Sequence, residues 1–220
     1  MAENSFKNVS TQPKIFFLLP VKTLFLLGGV FSAFFIMIVG LVLFGYTNSM
    51  DNAIFSLMRS NSSNPILDQT LQRIVFLGSS QFVLPLSLLV GVFLSLYRRN
   101  LALGVWFVLS VILFEALLES LKHLLAHPVQ WLSRSTNFPN ATALSLTLFY
   151  GLLILLIPHL ITHQTLKNVL FYSLFGLILL IGLVLIVLGV SFSSVLGGFC
   201  LGALGACFSI GIYLSVFQKI

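Results

Sequence analysis

Glu115, Glu119, Lys122 and His123 follow one another at steps of four, three and one within an otherwise apolar run. That spacing sets them on neighbouring positions of one helix face. Ionisable groups in so apolar a helix are costly and turn toward a bundle interior or water. The face is therefore a candidate proton or cation site, or an acid–base pair. The plainer use, which the three-residue step favours, is that Glu119 neutralises Lys122. His127 and Arg134 follow in the next polar stretch. Each could meet an anion such as a phosphate, and the plainer reading of each is a solvated loop residue. His159 and His163 stand four apart, a spacing compatible with zinc, but no third ligand is near, and they read as residues suited to a helix C-terminus. Cys200 and Cys207 share one apolar run and read as packing residues. No metal and no cofactor is expected.

The composition says which scaffold must position these residues. The chain has 220 residues, 58% of them hydrophobic and 7% charged, with 22 Phe; mean hydropathy is +1.09. Soluble domains carry about 25% charged residues. No stretch here is polar enough to coat a globular surface, which excludes a soluble fold, disorder and a disulfide scaffold. A helix crosses the hydrocarbon with about 20 apolar residues. Runs that meet this demand extend over Val21–Tyr46, Ile74–Tyr97, Leu101–Leu125, Ala141–Ile161, Val169–Leu188 and Val195–Val216. From Asn168 to Gln218 no residue is charged, a stretch too long for one span, and Gly189–Ser194 is its natural break. The expected architecture is all-α: a polytopic membrane protein built as a six-transmembrane-helix bundle. Residues 1–20 read as a cytoplasmic N-terminal tail and residues 21–217 as a single transmembrane domain. No small-residue cleavage site follows a short apolar core near Met1–Pro20, so the first span is expected to be retained.

Net charge is +6, from 11 Lys and Arg against 5 Asp and Glu. In a soluble protein this balance would suggest nucleic acid. Here the basic residues occupy the tail and short loops, no basic patch is interleaved with aromatics, and no nucleic-acid partner is expected. An even number of spans leaves both termini on one side, with Lys7, Lys14, Lys22, Arg98, Arg99, Lys167 and Lys219. Arg59, Arg73, Lys122 and Arg134 fall on the other. The excess predicts cytoplasmic termini and, in a bacterial cell, the inner membrane. The segments before spans two, four and six then face outward, and the longest, 47–73, is expected as a loop able to build a site. Tyr46, Tyr97, Trp131 and Tyr213 near span ends read as an aromatic belt. Gly197, Gly198, Gly202 and Gly205 give the sixth span small residues for close helix packing.

Three outward pieces fall on one membrane face: Leu121–Pro128, Asn137–Ala143 and Leu188–Gly198. In order and context they resemble the type-2 phosphatidic acid phosphatase family of integral membrane lipid phosphatases, over roughly Asp51 to Tyr213. That family's motifs are Lys, six residues, Arg-Pro; then Pro-Ser-Gly-His; then Ser-Arg, five residues, His, three residues, Asp. Lys122 fits the first lysine, while Val129 and Gln130 stand at Arg-Pro. Phe138-Pro139 fits the second motif, whose Ser-Gly-His reads Asn140-Ala141-Thr142. Leu188-Gly189-Val190 and Val195-Leu196-Gly197-Gly198 fit the flanks of the third. Its Ser-Arg reads Val184-Leu185, its histidine position falls on Ser191, and its aspartate is absent or replaced by Ser194.

The resemblance implies a phosphatase fold without the phosphatase's proton-transfer groups. Family enzymes attack phosphorus with the third-motif histidine, which the aspartate orients, and protonate the leaving oxygen with the second-motif histidine. Lysine and two arginines hold the phosphate. Of these six groups Lys122 alone remains. Histidine serves because it gives and takes protons near working pH; Thr142 and Ser191 would need an activating base. Each missing arginine removes charge-assisted hydrogen bonds of roughly 1.5–3 kcal/mol, so two losses weaken phosphate binding by about two to four decades. The leading expectation is a catalytically inactive or strongly diverged member that binds a membrane lipid, by a lipid phosphate headgroup through Lys122, His127 or Arg134, or a membrane partner. An active lipid phosphatase with His123 or His127 in displaced roles is the runner-up. A small transporter-like bundle using Glu115 and Glu119 is the third reading.

Overall fold

The computed structural model describes residues 20–59, 65–126 and 138–217. Among them eight helices follow in order: α1 (Val21–Leu43), α2 (Asn48–Arg59), α3 (Pro65–Phe76), α4 (Ser80–Arg98), α5 (Leu101–Ala126), α6 (Ala141–Leu160), α7 (Gln164–Val187) and α8 (Phe192–Phe217). Six segments are long and apolar enough to cross a bilayer, with α3 and α4 running together as one of them (Ile66–Arg98). The expected six-span, all-α bundle is the observed one.

The helix ends follow from local chemistry. Gly45 (φ +76°) and Gly189 (φ +90°) take the left-handed conformation that glycine tolerates best. Each closes a helix with the paired bonds of a Schellman turn. After α1, Tyr46 N–H donates to the Leu41 carbonyl and Gly45 N–H to Val42, both at 3.0 Å. After α7, Val190 N–H donates to Leu185 and Gly189 N–H to Ile186, again at 3.0 Å. Asn140 caps α6, its side-chain oxygen accepting the Ala143 N–H at 2.9 Å.

Two expectations are corrected. The outward segment 47–73 is not a loop: it contains α2 and the first part of α3. At 12 residues each, these helices are too short to span, and both lean on α7. Their mixed composition misled a reading based on long apolar runs. Alternating polar and apolar residues such as Asp51, Ile54, Phe55 and Met58 form amphipathic helices instead. The second span is likewise longer than Ile74–Tyr97 and is interrupted by a turn at Leu77–Ser79. Its Ser79 N–H bonds the Phe76 carbonyl at 3.0 Å. Tyr213 is also no belt residue. It is buried, receives the Asn100 side-chain amide at 3.4 Å and stacks on Phe217. Tyr46 and Tyr97 are exposed as a belt requires, and Trp131 lies outside the described residues.

The bundle is organised around α8, which packs most extensively on α6 and α1; α4 and α5 form a second tight pair. In α6 and α8, 61% of the apolar window is buried, against a third or less in the other spans. Glycines allow the α6–α8 approach. A Cβ on Gly198 would lie 2.6 Å from the Asn140 carbonyl oxygen, and one on Gly202 would lie 2.7 Å from that of Leu144. Backbone therefore meets side-chain-free backbone over the first turns of both helices, as small residues permit in membrane bundles. A methyl at either position would push against main chain that cannot swing aside. Gly198→Ala and Gly202→Ala are each expected to cost about 1–3 kcal/mol, read as a lowered thermal midpoint of the detergent-solubilised protein. Gly176→Ala, where a Cβ meets nothing within 4 Å, should leave the midpoint within error.

Candidate functional site

The end of the bundle where α6 and α8 begin gathers the polar groups. Asn140 joins the two helices there, its N–H donating to the Ser194 carbonyl at 3.1 Å. Phe138, just before Asn140, stacks on Phe35 of α1 with centroids 6.3 Å apart. Gly197 makes room for the Phe138 ring, which a Cβ there would approach to 2.6 Å. The Val195–Gly198 flank noted in the sequence thus has a physical job: it seats the Phe138–Asn140 segment against the N-terminus of α8.

Ser191 ends the turn before α8, and its carbonyl accepts the N–H groups of Ser194 and Val195 at 3.1 Å each. Ser193 and Ser194 are buried. The first-turn amides of a helix are an anion-binding group, and here the anion comes from the chain itself. Asp51 of α2 accepts the Ser193 N–H through Oδ1 at 3.1 Å and the Ser193 hydroxyl through Oδ2 at 2.6 Å. One turn along, Phe55 lies against Gly189, where a Cβ would come within 3.0 Å of its ring. Asp51 and Phe55 therefore share the face by which α2 sits on the α7–α8 turn. Sequence reasoning missed Asp51. Its signal was an acidic residue followed four positions later by an aromatic in an amphipathic segment.

Glu115 forms a second internal contact. Its carboxylate accepts the Ser80 hydroxyl at 3.1 and 3.0 Å through its two oxygens and is in hydrogen-bond contact with the Ser145 hydroxyl. Ser80 and Ser145 are 3.2 Å from each other. This cluster ties the start of α4 to the middle of α5 and the first turns of α6. Ser145 is fully buried, and its hydroxyl also lies 2.9 Å from the Ala141 carbonyl. Ser80 and Ser145 were not singled out in the sequence, because serines in apolar helices commonly bond their own preceding turn.

The remaining candidates are placed as follows. Lys122 is 4.0 Å from Glu119, the neutralising pair that the spacing favours. With Glu119 67% exposed, the pair contributes no more than about 1 kcal/mol. His123 lies 3.9 Å from the other Glu119 oxygen and is largely exposed. Thr142, in the first turn of α6, turns its methyl toward the Gly78 turn, where a Cβ would be 3.2 Å away. Thr142 and Ser191–Ser194 are thus brought to one end of the bundle through the Asn140–Ser194 link, while Lys122 engages its own helix. His127 and Arg134 lie outside the described residues. His159 lies in the last turn of α6, as its reading required, whereas His163 is corrected: it stands at the N-cap of α7, a helix start and not a C-terminus, because α6 ends at Leu160 and the connection is short. Cys200 and Cys207 are free thiols within the packed α8.

Chemically, the arrangement binds hydroxyls and amides to carboxylates. A Ser–carboxylate contact without an imidazole between them is a poor nucleophile–base pair, so Ser193–Asp51 reads as a cap and a clamp. Glu115→Ala removes the acceptor shared by Ser80 and Ser145. It is expected to lower stability by about 1–3 kcal/mol, whereas Glu115→Gln, which keeps one acceptor oxygen, should cost less. Thermal unfolding in detergent measures both, and equal midpoints for wild type and Glu115→Ala would mean the cluster carries no stability.

No protein-family profile matches the chain, and no curated protein does. Among solved structures it matches the crystal structure of the first transmembrane PAP2 type phosphatidylglycerolphosphate phosphatase from Bacillus subtilis. The TM-score is 0.72 at 23% sequence identity, covering 88% of this chain and 98% of that one. That likeness is one of fold: this chain has the fold of a PAP2-type transmembrane phosphatase.

Proposed function

We propose that the protein is a non-hydrolytic, integral membrane member of the type-2 phosphatidic acid phosphatase group, one that engages a membrane lipid without cleaving its phosphate. The observation that carries this reading is the Asp51–Ser193 contact. In the turn where the resemblance places the nucleophilic histidine, the helix N-terminal amide and the adjacent hydroxyl are taken up by a carboxylate of the same chain. A phosphate brought to that turn would meet a negative charge already seated there, and like charges repel by about 4 kcal/mol at 4 Å for an effective dielectric constant near 20. Neither Thr142 nor Ser191 supplies the proton transfer that an imidazole would, and Lys122 is shared with Glu119. The basic excess at the opposite end, with Arg98, Arg99 and Lys167, supports an orientation in which that end is cytoplasmic and the Asp51 end faces outward.

The transporter-like reading has less support, since Glu115 is engaged by Ser80 and Ser145 while Glu119 is exposed. The decisive experiment incubates the purified full-length protein, in detergent and in vesicles, with phosphatidylglycerophosphate, phosphatidic acid and an isoprenoid diphosphate. Released phosphate is then measured. The expected result is release no faster than from protein-free vesicles, for wild type and for Lys122→Ala alike. Release that disappears in Lys122→Ala, or a phosphohistidine trapped on His123 or His127, would establish an active phosphatase with displaced residues instead.

A further inference from the structure

The α2 helix has one face more than the bundle and water require. Asp51, Ile54 and Phe55, at steps of three and four, form the arc turned to the bundle. Asp51 is held by Ser193, Ile54 is half-buried and Phe55 lies against Gly189. Asn48, Ser49, Asn52 and Ser56 form a second arc, polar and exposed. Met50, Ala53 and Leu57 form a third, again at steps of three and four. It is apolar, yet Met50 is 45% and Leu57 69% exposed. A surface helix of a soluble protein divides into two faces, one for the core and one for water; α2 divides into three.

The place of α2 in the molecule says what meets the third arc. With 23 residues, α1 is about 35 Å long, enough to cross a hydrocarbon layer of about 30 Å. Its end at Leu43 therefore lies at the bilayer boundary. After the single turn Phe44–Thr47 comes α2, whose Asp51 N–H already bonds the Thr47 carbonyl at 2.9 Å. The contacts of Asp51 with Ser193 and of Phe55 with Gly189 are one helical turn apart on α2, and both fall where α7 passes into α8, again at the ends of spans. Beyond α2, the apolar segment that begins at Ile66 takes the chain back into the bilayer. The helix is thus tied to the boundary level from both ends and from its bundle face. Tyr46, in the turn that enters it, is 74% exposed, as suits a ring at headgroup level. Protein, water and lipid meet at that level, and α2 has one arc suited to each.

We propose that α2 is an interfacial helix, with its Met50–Ala53–Leu57 arc sunk among the headgroups and upper acyl chains of the adjoining leaflet. Lipid on that arc keeps the neighbouring arc against the α7–α8 connection, and so keeps the Asp51 carboxylate on Ser193. This contact is independent of whether the protein cleaves a phosphate, and the phosphate-release assay does not bear on it.

The test places single cysteines in a Cys200→Ala/Cys207→Ala background, labels each with a fluorophore, and reconstitutes the full-length protein in vesicles of phosphatidylcholine and phosphatidylglycerol. The variants are Met50→Cys, Leu57→Cys, Asn52→Cys and Leu179→Cys, the last at an exposed position well inside the α7 span. Quenching is measured with lipids carrying a nitroxide near the headgroup, with lipids carrying one near the acyl-chain end, and with iodide in the water. The Met50→Cys and Leu57→Cys labels are expected to be quenched several-fold more by the shallow nitroxide than by iodide. Asn52→Cys should show the reverse, and Leu179→Cys should respond most to the deep nitroxide. Ala53→Cys takes the place of either apolar-arc variant that fails to purify. Iodide reaching the apolar-arc labels as readily as that of Asn52→Cys would overturn the proposal. So would shielding of those labels from all three quenchers, the result expected if a second copy of the chain covers the arc. Hydrogen exchange in the same vesicles, on the chain with its own cysteines, reads the hold on Asp51. Met50→Asn/Leu57→Asn should quicken amide exchange over residues 48–57 and the first turn of α8 several-fold, whereas Asn52→Ala should not. Unchanged exchange in the double variant would likewise overturn the proposal.

Discussion

The close approach of α6 to α8 is the constraint on which the rest depends. In a bilayer, apolar side chains gain little by leaving lipid for one another, so helices associate through fit and hydrogen bonds. Gly198 and Gly202 provide the fit, opening α8 to the backbone of α6. Asn140 provides the bond, capping α6 with its side chain and reaching Ser194 with its N–H. Since α8 also carries α1, the placement of α6 on α8 sets the positions of Phe138, Thr142 and the Ser191–Ser194 turn together. A phosphatase of this fold needs that same placement to bring its second and third motifs together. The packing glycines and the Phe138–Asn140 segment carry this frame through backbone fit and ring contact, independently of the polar groups at the helix ends.

The polar groups follow from the second constraint, that nothing polar at membrane depth can be left without a partner. Glu115 is sustained by two serines from two different helices, and Asp51 by an amide and a hydroxyl at the start of α8. Both carboxylates act as internal staples. Asp51 matters more for function, because a helix N-terminus that is already capped offers less to an external phosphate.

Much of this was legible in the sequence, for a physical reason. Uninterrupted apolar runs report spans directly, because the hydrocarbon imposes length and composition. Hence the six spans came out, with Leu101–Leu125 and Ala141–Ile161 placed to within a residue of α5 and α6. The Glu119–Lys122 pair was legible because helical spacing is local. What the sequence concealed is non-local or amphipathic. The α2 and α3 helices carry no long apolar run. Ser80, Glu115 and Ser145 come together only once α4, α5 and α6 are placed, and Asp51 finds Ser193 across most of the chain. Tyr213 was misplaced because a tyrosine at a span end satisfies its hydroxyl equally well in the headgroup region or on a neighbour such as Asn100.

The two ends of the bundle are electrostatic opposites, and each explains the other. Toward the end where α6 and α8 begin, Asp51 is engaged by an amide and a hydroxyl, Glu115 by two hydroxyls and Glu119 by a lysine of the same chain. At the opposite end Arg98, Arg99 and Lys167 gather without an acid among the described residues. The positive-inside bias accounts for exposed basic residues at loops. Lys167, in the first turn of α7, buries its stem, and no buried side-chain nitrogen among the described residues is left without a partner, so its head group follows the snorkelling habit of long basic side chains.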